Sequence, residues 1–207
     1  MRTFFILLSA SVLLVAATAF ISTSTDGYQV GDYAQDFSLM GVDGKKVSLS
    51  DYNNAEGFIV IFTCNTCPYA KMYEQRIKAL HNSYAEKGYP VIAINPNCPE
   101  RSPGDSMDKM KERAQEKEFG FAYLQDETQN VTKAYGATNT PHTYVLKKES
   151  PSKYKVVYIG AIDNNYRDAS KANKHYVRNA VENLLQGKTP KEKSTKAIGC
   201  SIKWKMS

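Results

Sequence analysis

The amino-acid sequence predicts an α/β fold in which a central mixed β-sheet is flanked by helices. Two short apolar runs, at 57–63 and 90–95, are rich in β-branched residues, which is typical of strands buried on both faces. A helical pattern follows the first run, and strands and helices then alternate along the chain. Such alternation favours a sheet with helices on both faces, and the crossover rule makes the first two long strands parallel and either neighbouring or near-neighbouring.

Each element has its own local signal. Asp43-Gly44 lies between two short alternating segments and predicts an N-terminal hairpin over 36–52. Across 67–87 apolar residues recur at three- and four-residue spacing, and Gly88 stands where a helix C-terminal glycine belongs. The remaining predicted elements are a loop at 96–106, a helix at 106–119, a strand at 121–125, a helix at 126–136, strands at 142–146 and 154–160 around a polar turn at 148–153, and a helix at 173–187.

The N-terminal segment is predicted to be a targeting signal. Arg2 precedes an apolar run at 4–17, and residues 17–19 form a small-residue motif of the kind that signal peptidases cleave. We therefore expect a signal peptide at 1–19, with an uncleaved membrane anchor as the alternative, followed by a polar, flexible leader at 20–29. Either reading places the protein outside the cytosol, secreted or periplasmic, where disulfides persist. Membrane contact is expected only if the segment stays uncleaved.

Positive charge is concentrated at the C-terminus. The 207 residues carry 27 Lys and Arg against 21 Asp and Glu, a formal net charge of +6. Six lysines and one glutamate fall within 188–207, which we predict to be a basic tail that follows a folded domain at 30–187. Proteins that bind nucleic acid usually carry their basic excess on the folded domain, so nucleic acid is not an expected partner.

The motif that carries chemistry is Cys64-Asn65-Thr66-Cys67-Pro68, between a predicted buried strand and a long helix. Backbone N–H groups at a helix start favour an anion, so we expect the pKa of Cys64 to be lowered from its usual ~8.5 and Cys64 to be the nucleophile. Cys67, one turn on, is within disulfide reach and is expected to be more buried. The pair predicts thiol–disulfide exchange with protein partners and an unidentified electron donor, without a cofactor.

Two segments resemble the thioredoxin-like superfamily, namely IVIFTCNTCPYAKMYEQRIKAL at 59–80 and TNTPHTYVL at 138–146. The N-terminal hairpin and the long connection at 96–120 are similar to its redoxin branch, the alkyl hydroperoxide reductase/thiol-specific antioxidant group, and to peroxiredoxin-like proteins that carry a CxxC. The resemblance implies a thioredoxin fold and a redox-active disulfide between Cys64, the nucleophile, and Cys67, the resolving cysteine. It also implies that Pro141 is a cis-proline and that Thr140 offers backbone hydrogen bonds to a bound polypeptide.

Several positions depart from the patterns of these relatives. Peroxiredoxins have a threonine three residues before the peroxidatic cysteine and a proline four residues before that, where this chain has Ile61 and Gly57. A thiol peroxidase is therefore the alternative function and not the leading one. The buried acid that assists proton transfer in thioredoxin corresponds to Phe58, so another proton route, such as water or Glu56, is required.

Metal binding is a further interpretation of the same motif. Zinc needs a second close pair of ligands, and the chain offers the scattered Cys98, Cys200 and His142. Sco-type copper chaperones share the thioredoxin-like fold and use CxxxC with a distant histidine, for which His142 is the candidate. Because this chain has CxxC, the leading expectation includes no metal.

Cys98 and Cys200 remain to be assigned. Cys98 follows the second buried strand, on the same sheet edge as the dithiol, and Cys200 lies in a segment predicted to pack back through Ile198, Ile202 and Trp204. One hypothesis is a disulfide between Cys98 and Cys200 that pins the tail beside the dithiol. The other hypothesis is two free buried thiols, because spacing alone does not fix connectivity.

Overall fold

A computed structural model describes residues 27–206 of the chain. The predicted signal peptide at 1–19 and most of the predicted leader at 20–29 lie outside these residues. Within the described range, every helix falls short of the length and apolar character that are needed to cross a bilayer.

The elements follow the predicted order, with boundaries shifted by a few residues. The strands of the described chain are β1 Tyr33–Ala34, β2 Leu39–Gly41, β3 Lys46–Val47, β4 Gly57–Phe62, β5 Val91–Asn95, β6 Ala122–Gln125, β7 Asn139–Thr140, β8 His142–Ser150, β9 Lys153–Gly160 and β10 Cys200–Ser201. Its α-helices are α1 Pro68–Tyr84, α2 Met107–Glu116, α3 Asn130–Tyr135 and α4 Tyr176–Leu185.

Eight strands form one mixed sheet in the order β1-β9-β8-β4-β5-β6-β2-β3. β4 runs parallel to β5, which confirms the prediction for the first two long strands, and β8 runs antiparallel to β4. The predicted hairpin is also confirmed, since Leu39 pairs with Val47 around the Asp43-Gly44 turn. The molecule has the thioredoxin fold, with this hairpin added at one edge of the sheet.

The central strand β4 is buried on both faces, and its alternating side chains divide the core into two layers. Ile59 and Ile61 pack with α1, α2 and α4 on one face. Phe58, Val60 and Phe62 pack with α3 and the N-terminal hairpin on the other. Because β4 and β5 are parallel, their carboxyl ends meet at one edge of the sheet, which is where open α/β sheets place their sites.

The structure differs from the prediction at the β8–β9 connection. Residues 148–153, predicted to be a polar turn, mostly belong to the strands: Lys148 pairs with Tyr154, and Ser150 with Lys153. The two strands form a long ribbon that extends beyond the sheet, so polar side chains there face solvent without ending the strands. Polar composition alone therefore misplaced the strand ends.

The C-terminal segment packs against the sheet, although it has no periodic pattern. Ile202 is buried and Trp204 packs on the layer that holds α3, as predicted, whereas Ile198 is 48% exposed, so its predicted packing is wrong. Thr195 is fixed by hydrogen bonds with the backbone of Ile159 and with the Tyr158 hydroxyl. The segment then crosses the carboxyl end of the sheet and reaches the dithiol through β10.

Candidate active site

The loop that carries the two cysteines connects β4 to α1. Cys67 is the N-cap of α1, with an extended backbone at φ −72° and ψ 124°, and Pro68 is the first helical residue. Proline suits that position because its missing N–H has no partner within the helix. Cys64 and Cys67 are each 3% exposed, so the prediction that Cys67 is the more buried of the two is wrong.

Thr140 lies against both sulfurs. Its hydroxyl is 3.1 Å from Cys64 Sγ, and its carbonyl oxygen accepts a hydrogen bond from the Cys67 thiol at 3.2 Å. The peptide bond from Thr140 to Pro141 is cis, as the resemblance implies. The structure thus brings together the two cysteines and the Thr140-Pro141 segment, which are separated by more than 70 residues in the chain.

Hydrogen-bond donors around the dithiol converge on Cys67. Its sulfur accepts hydrogen bonds from the Cys64 thiol, from the Cys200 thiol and from the backbone N–H of Ala70 in α1. The backbone N–H of Cys200 also donates to it, over 3.4 Å. These donors lower the pKa of Cys67, because each stabilises the thiolate more than the thiol. Burial acts in the opposite direction, but the hydrogen bonds outweigh it.

The expected lowering of the Cys64 pKa is wrong. Its pKa is raised by its hydrogen bond to Cys67, by burial and by the negative charge of Asp105. The physical reason is position in the loop. Cys67 occupies the N-cap, where helical N–H groups are available, whereas Cys64 lies three residues earlier and receives the backbone N–H of Cys67. The negative charge of a singly deprotonated pair therefore rests on Cys67.

Asp105 is a buried carboxylate beside the dithiol that the sequence analysis missed. It is 0% exposed, and it accepts the backbone N–H of Asn65 at 2.7 Å. Its other donors are the side chains of Thr66, Asn95, Asn97 and Ser102. Five donors satisfy the carboxylate, so Asp105 fixes the backbone between the two cysteines. In the sequence it stands in a segment that composition marks as a loop, with nothing to indicate burial.

Glu56, suggested as a proton route, does not reach the dithiol. It is exposed and precedes the first residue of β4, at the opposite end of the strand from Cys64. Phe58, where thioredoxin has its buried acid, is fully buried in the core. The carboxylate whose charge acts on Cys64 is Asp105, which approaches the motif from the loop after β5.

Cys200 joins the dithiol, and Cys98 does not. β10 pairs antiparallel with β7, with Cys200 opposite Thr140, and the thiol of Cys200 is hydrogen-bonded to Cys67. The thiol of Cys98 instead donates to the Glu100 carboxylate at 2.7 Å. All four cysteines are free, so the hypothesis of a Cys98–Cys200 disulfide is wrong. The segment lies beside the dithiol without that disulfide, through the pairing of β10 with β7.

His142 does not complete a metal site with the cysteines. It pairs with Phe62 across the sheet, and its ring lies 4.9 Å from that of Tyr144, on the face away from α1. Burial lowers its pKa to about 4. Over residues 27–206, no group of three or more His, Cys, Asp or Glu side chains is placed to hold a metal ion. The copper interpretation therefore lacks its histidine ligand.

Fold and site together define a thiol–disulfide oxidoreductase of the redoxin branch of the thioredoxin superfamily. The chain belongs to the AhpC/TSA family, whose family model matches residues 30–155. That match covers the hairpin, the dithiol, Asp105 and the Thr140-Pro141 segment, and it ends before α4 and β10.

Individual proteins are similar to this chain over most of its length. The thiol-disulfide oxidoreductase ResA of Geobacillus thermodenitrificans is 27% identical over 164 residues, which is 78% of this chain and 87% of that protein. An uncharacterized conserved protein from Geobacillus kaustophilus has a solved structure with a TM-score of 0.79 and 38% identity, over 86% of this chain and 94% of that one. A hypothetical protein from Sinorhizobium meliloti 1021 gives a TM-score of 0.79 and 28% identity, over 87% and 97%.

Proposed function

We propose that this protein is an extracytoplasmic thiol–disulfide oxidoreductase that exchanges the Cys64/Cys67 pair with disulfides or dithiols of polypeptide partners. The observation that carries the proposal is the contact of both sulfurs with Thr140, on the segment that resembles a cis-proline recognition segment. The name of the ResA relative supports the reaction class. The apolar run at 4–17, typical of a signal peptide, supports a location outside the cytosol.

The proposed cycle starts from the dithiol. Cys64 passes its proton to the Cys67 thiolate along their hydrogen bond, and the Cys64 thiolate attacks one sulfur of the partner disulfide. That S–S bond breaks, a mixed disulfide forms, and the departing partner sulfur takes up a proton. Cys67, again deprotonated, then attacks Cys64 Sγ, closes the Cys64–Cys67 disulfide and releases the second partner thiol. Two electrons pass to the partner, and the electron donor restores the dithiol.

Cys64 is the proposed first nucleophile because Cys67 is already engaged by Cys200. Cys200 donates to Cys67 through both its thiol and its backbone N–H, which leaves Cys67 the better-placed base and resolving group. Thr140 and Pro141 are the proposed substrate-binding residues. In this role an extended segment of the partner takes the place that β10 occupies here and pairs with the backbone of Thr140.

Reduction of insulin disulfides by dithiothreitol tests the proposal. The wild-type protein should accelerate precipitation of the insulin B chain at least ten-fold over dithiothreitol alone, and Cys64→Ser should abolish the gain. Cys67→Ser should also lose turnover, but it should accumulate a mixed disulfide on Cys64, because the resolving sulfur is missing. Cys98→Ser is the matched control and should keep full activity, since Cys98 bonds to Glu100. Wild-type activity that survives in Cys64→Ser would overturn the assignment.

A further inference from the structure

The C-terminal strand lies where the proposed function places a substrate strand. β10 pairs antiparallel with β7, and the register puts Cys200 opposite Thr140 and Ser201 opposite Asn139. Thr140 is the residue whose backbone is proposed to receive an extended polypeptide. The chain therefore presents one of its own cysteines to the dithiol in the manner of a bound partner.

This arrangement is held by specific contacts on both sides of β10. The Asn139 side chain donates to the Gly199 carbonyl at 3.2 Å, and the backbone N–H of Ile202 donates to Thr138. Beyond β10, the Lys203 carbonyl accepts the backbone N–H of Cys98, and the Lys203 N–H donates to the Asn97 side-chain oxygen, at 2.9 Å each. These bonds leave Cys200 little freedom to move away from Cys67.

Gly199 allows the close approach of the two segments. A Cβ atom there would lie well inside 3.0 Å of the carbonyl group of Thr140, closer than real Cβ contacts come. A residue with a side chain at this position would force the segment off Thr140. The glycine before Cys200 is thus fitted to the contact with the Thr140-Pro141 segment.

The sulfur of Cys200 shares the helix start with Cys67. The backbone N–H of Tyr69 donates to Cys200, and that of Ala70 donates to Cys67, so both sulfurs sit over the first turn of α1. Cys200 is half-buried, while Cys64 and Cys67 are buried. Cys67 is consequently hydrogen-bonded to two other cysteines, Cys64 and Cys200.

We propose that Cys200 is a third redox-active cysteine, which exchanges with the Cys64–Cys67 disulfide by forming a disulfide with Cys67. The deprotonated sulfur of Cys200 attacks Cys67 Sγ, the Cys64–Cys67 bond breaks, and the Cys67–Cys200 bond forms. The proton given up by Cys200 is taken by Cys64, so the three sulfurs keep the same number of electrons and no external oxidant is consumed. Cys64 becomes a free thiol, and the C-terminal segment becomes covalently fixed over the Thr140 backbone.

This inference rests on the proposed function for its oxidised starting state, but it has an independent test. In the Cys64→Ser/Cys98→Ser double variant, oxidised glutathione should first form a mixed disulfide with Cys67. Cys200 should then attack Cys67 Sγ and release free glutathione. After free thiols are blocked at acid pH, digestion without reductant and mass spectrometry should find the Cys67–Cys200 peptide in at least ten-fold excess over the glutathione adduct. Adding Cys200→Ser should leave the adduct on Cys67.

A glutathione adduct that persists on Cys67 while Cys200 remains free would overturn the inference. The wild-type chain gives a second measurement that needs no substitution, because the same mapping of the oxidised protein should show both Cys64–Cys67 and Cys67–Cys200 peptides. The insulin assay separates the two proposals. A Cys67–Cys200 disulfide without insulin reduction would contradict the proposed function alone. Insulin reduction without any Cys67–Cys200 peptide would contradict the redox role of Cys200 alone.

Discussion

At the scale of single residues, position relative to the helix start decides which sulfur carries charge. Cys64 and Cys67 are each 3% exposed, and burial raises the pKa of both. The two cysteines differ in their neighbours. Cys67 accepts several hydrogen bonds that lower its pKa, whereas the Asp105 carboxylate raises the pKa of Cys64. A CxxC motif indicates that a helix begins nearby. Composition does not fix the first helical residue to better than one or two positions, so it does not show which residue is the N-cap.

His142 gives a residue-scale prediction about stability. It packs against Tyr144, and burial lowers its pKa from 6.5 to about 4. Between these pH values the unfolded chain binds a proton more readily than the folded one. The contribution of neutral His142 to the free energy of unfolding is therefore fully present above pH 6.5 and is lost as the pH falls toward 4. The difference between the two pKa values corresponds to about 3 kcal/mol.

We expect His142→Gln to remove most of that pH dependence, because glutamine keeps a polar group without titrating. Urea unfolding at pH 7, 5.5 and 4.5, with the m-value checked for constancy, measures the free energy of unfolding. The His175→Gln variant controls for loss of a histidine as such. If His142→Gln loses as much stability as the wild type from pH 7 to 4.5, the assignment is wrong.

At the scale of elements, the strands and helices with strong local patterns were predictable. Elements that form only by pairing with a distant segment of the chain were not. The runs that became β4 and β5 are continuously apolar, and α1 has helical periodicity, so the sequence located all three closely. β10 has two residues and no pattern, and it exists because Thr140 offers a strand edge to pair with. The same holds for Asp105, whose burial follows from five donors that meet only in the fold.

The Gly199→Ala substitution tests what β10 does as an element. The added methyl group would clash with the Thr140 carbonyl, so we expect β10 to detach from β7 and uncover Cys67. Site-resolved alkylation by iodoacetamide should then modify Cys67 at least five-fold faster than in the wild type. Gly120→Ala is the control, because a Cβ there meets nothing nearer than a His81 carbon at 3.9 Å. Unchanged alkylation of Cys67 in a folded Gly199→Ala protein would contradict this role.

At the scale of the whole molecule, chain order predicted the centre of the sheet better than its edges. Alternation and the crossover rule predict that β4 and β5 are parallel and close in the sheet, and the structure pairs them directly, with the dithiol at their carboxyl edge. The placement of β1 beside β9 and of the hairpin beside β6 depends on pairings between residues more than 80 apart in the chain. Such pairings leave no trace in local patterns, so the edges required the structure.

The architecture around Cys64 also predicts how little the protein does with peroxide. The position three residues before Cys64, where peroxiredoxins have threonine, holds Ile61, an aliphatic side chain that is fully buried and donates no hydrogen bond. Family membership alone does not supply the missing hydroxyl donor. We therefore expect dithiothreitol-dependent loss of hydrogen peroxide to stay within two-fold of the rate for Cys64→Ser, in samples whose wild-type protein reduces insulin. A wild-type rate more than ten-fold above Cys64→Ser would show that Cys64 is activated toward peroxide by groups other than the peroxiredoxin threonine.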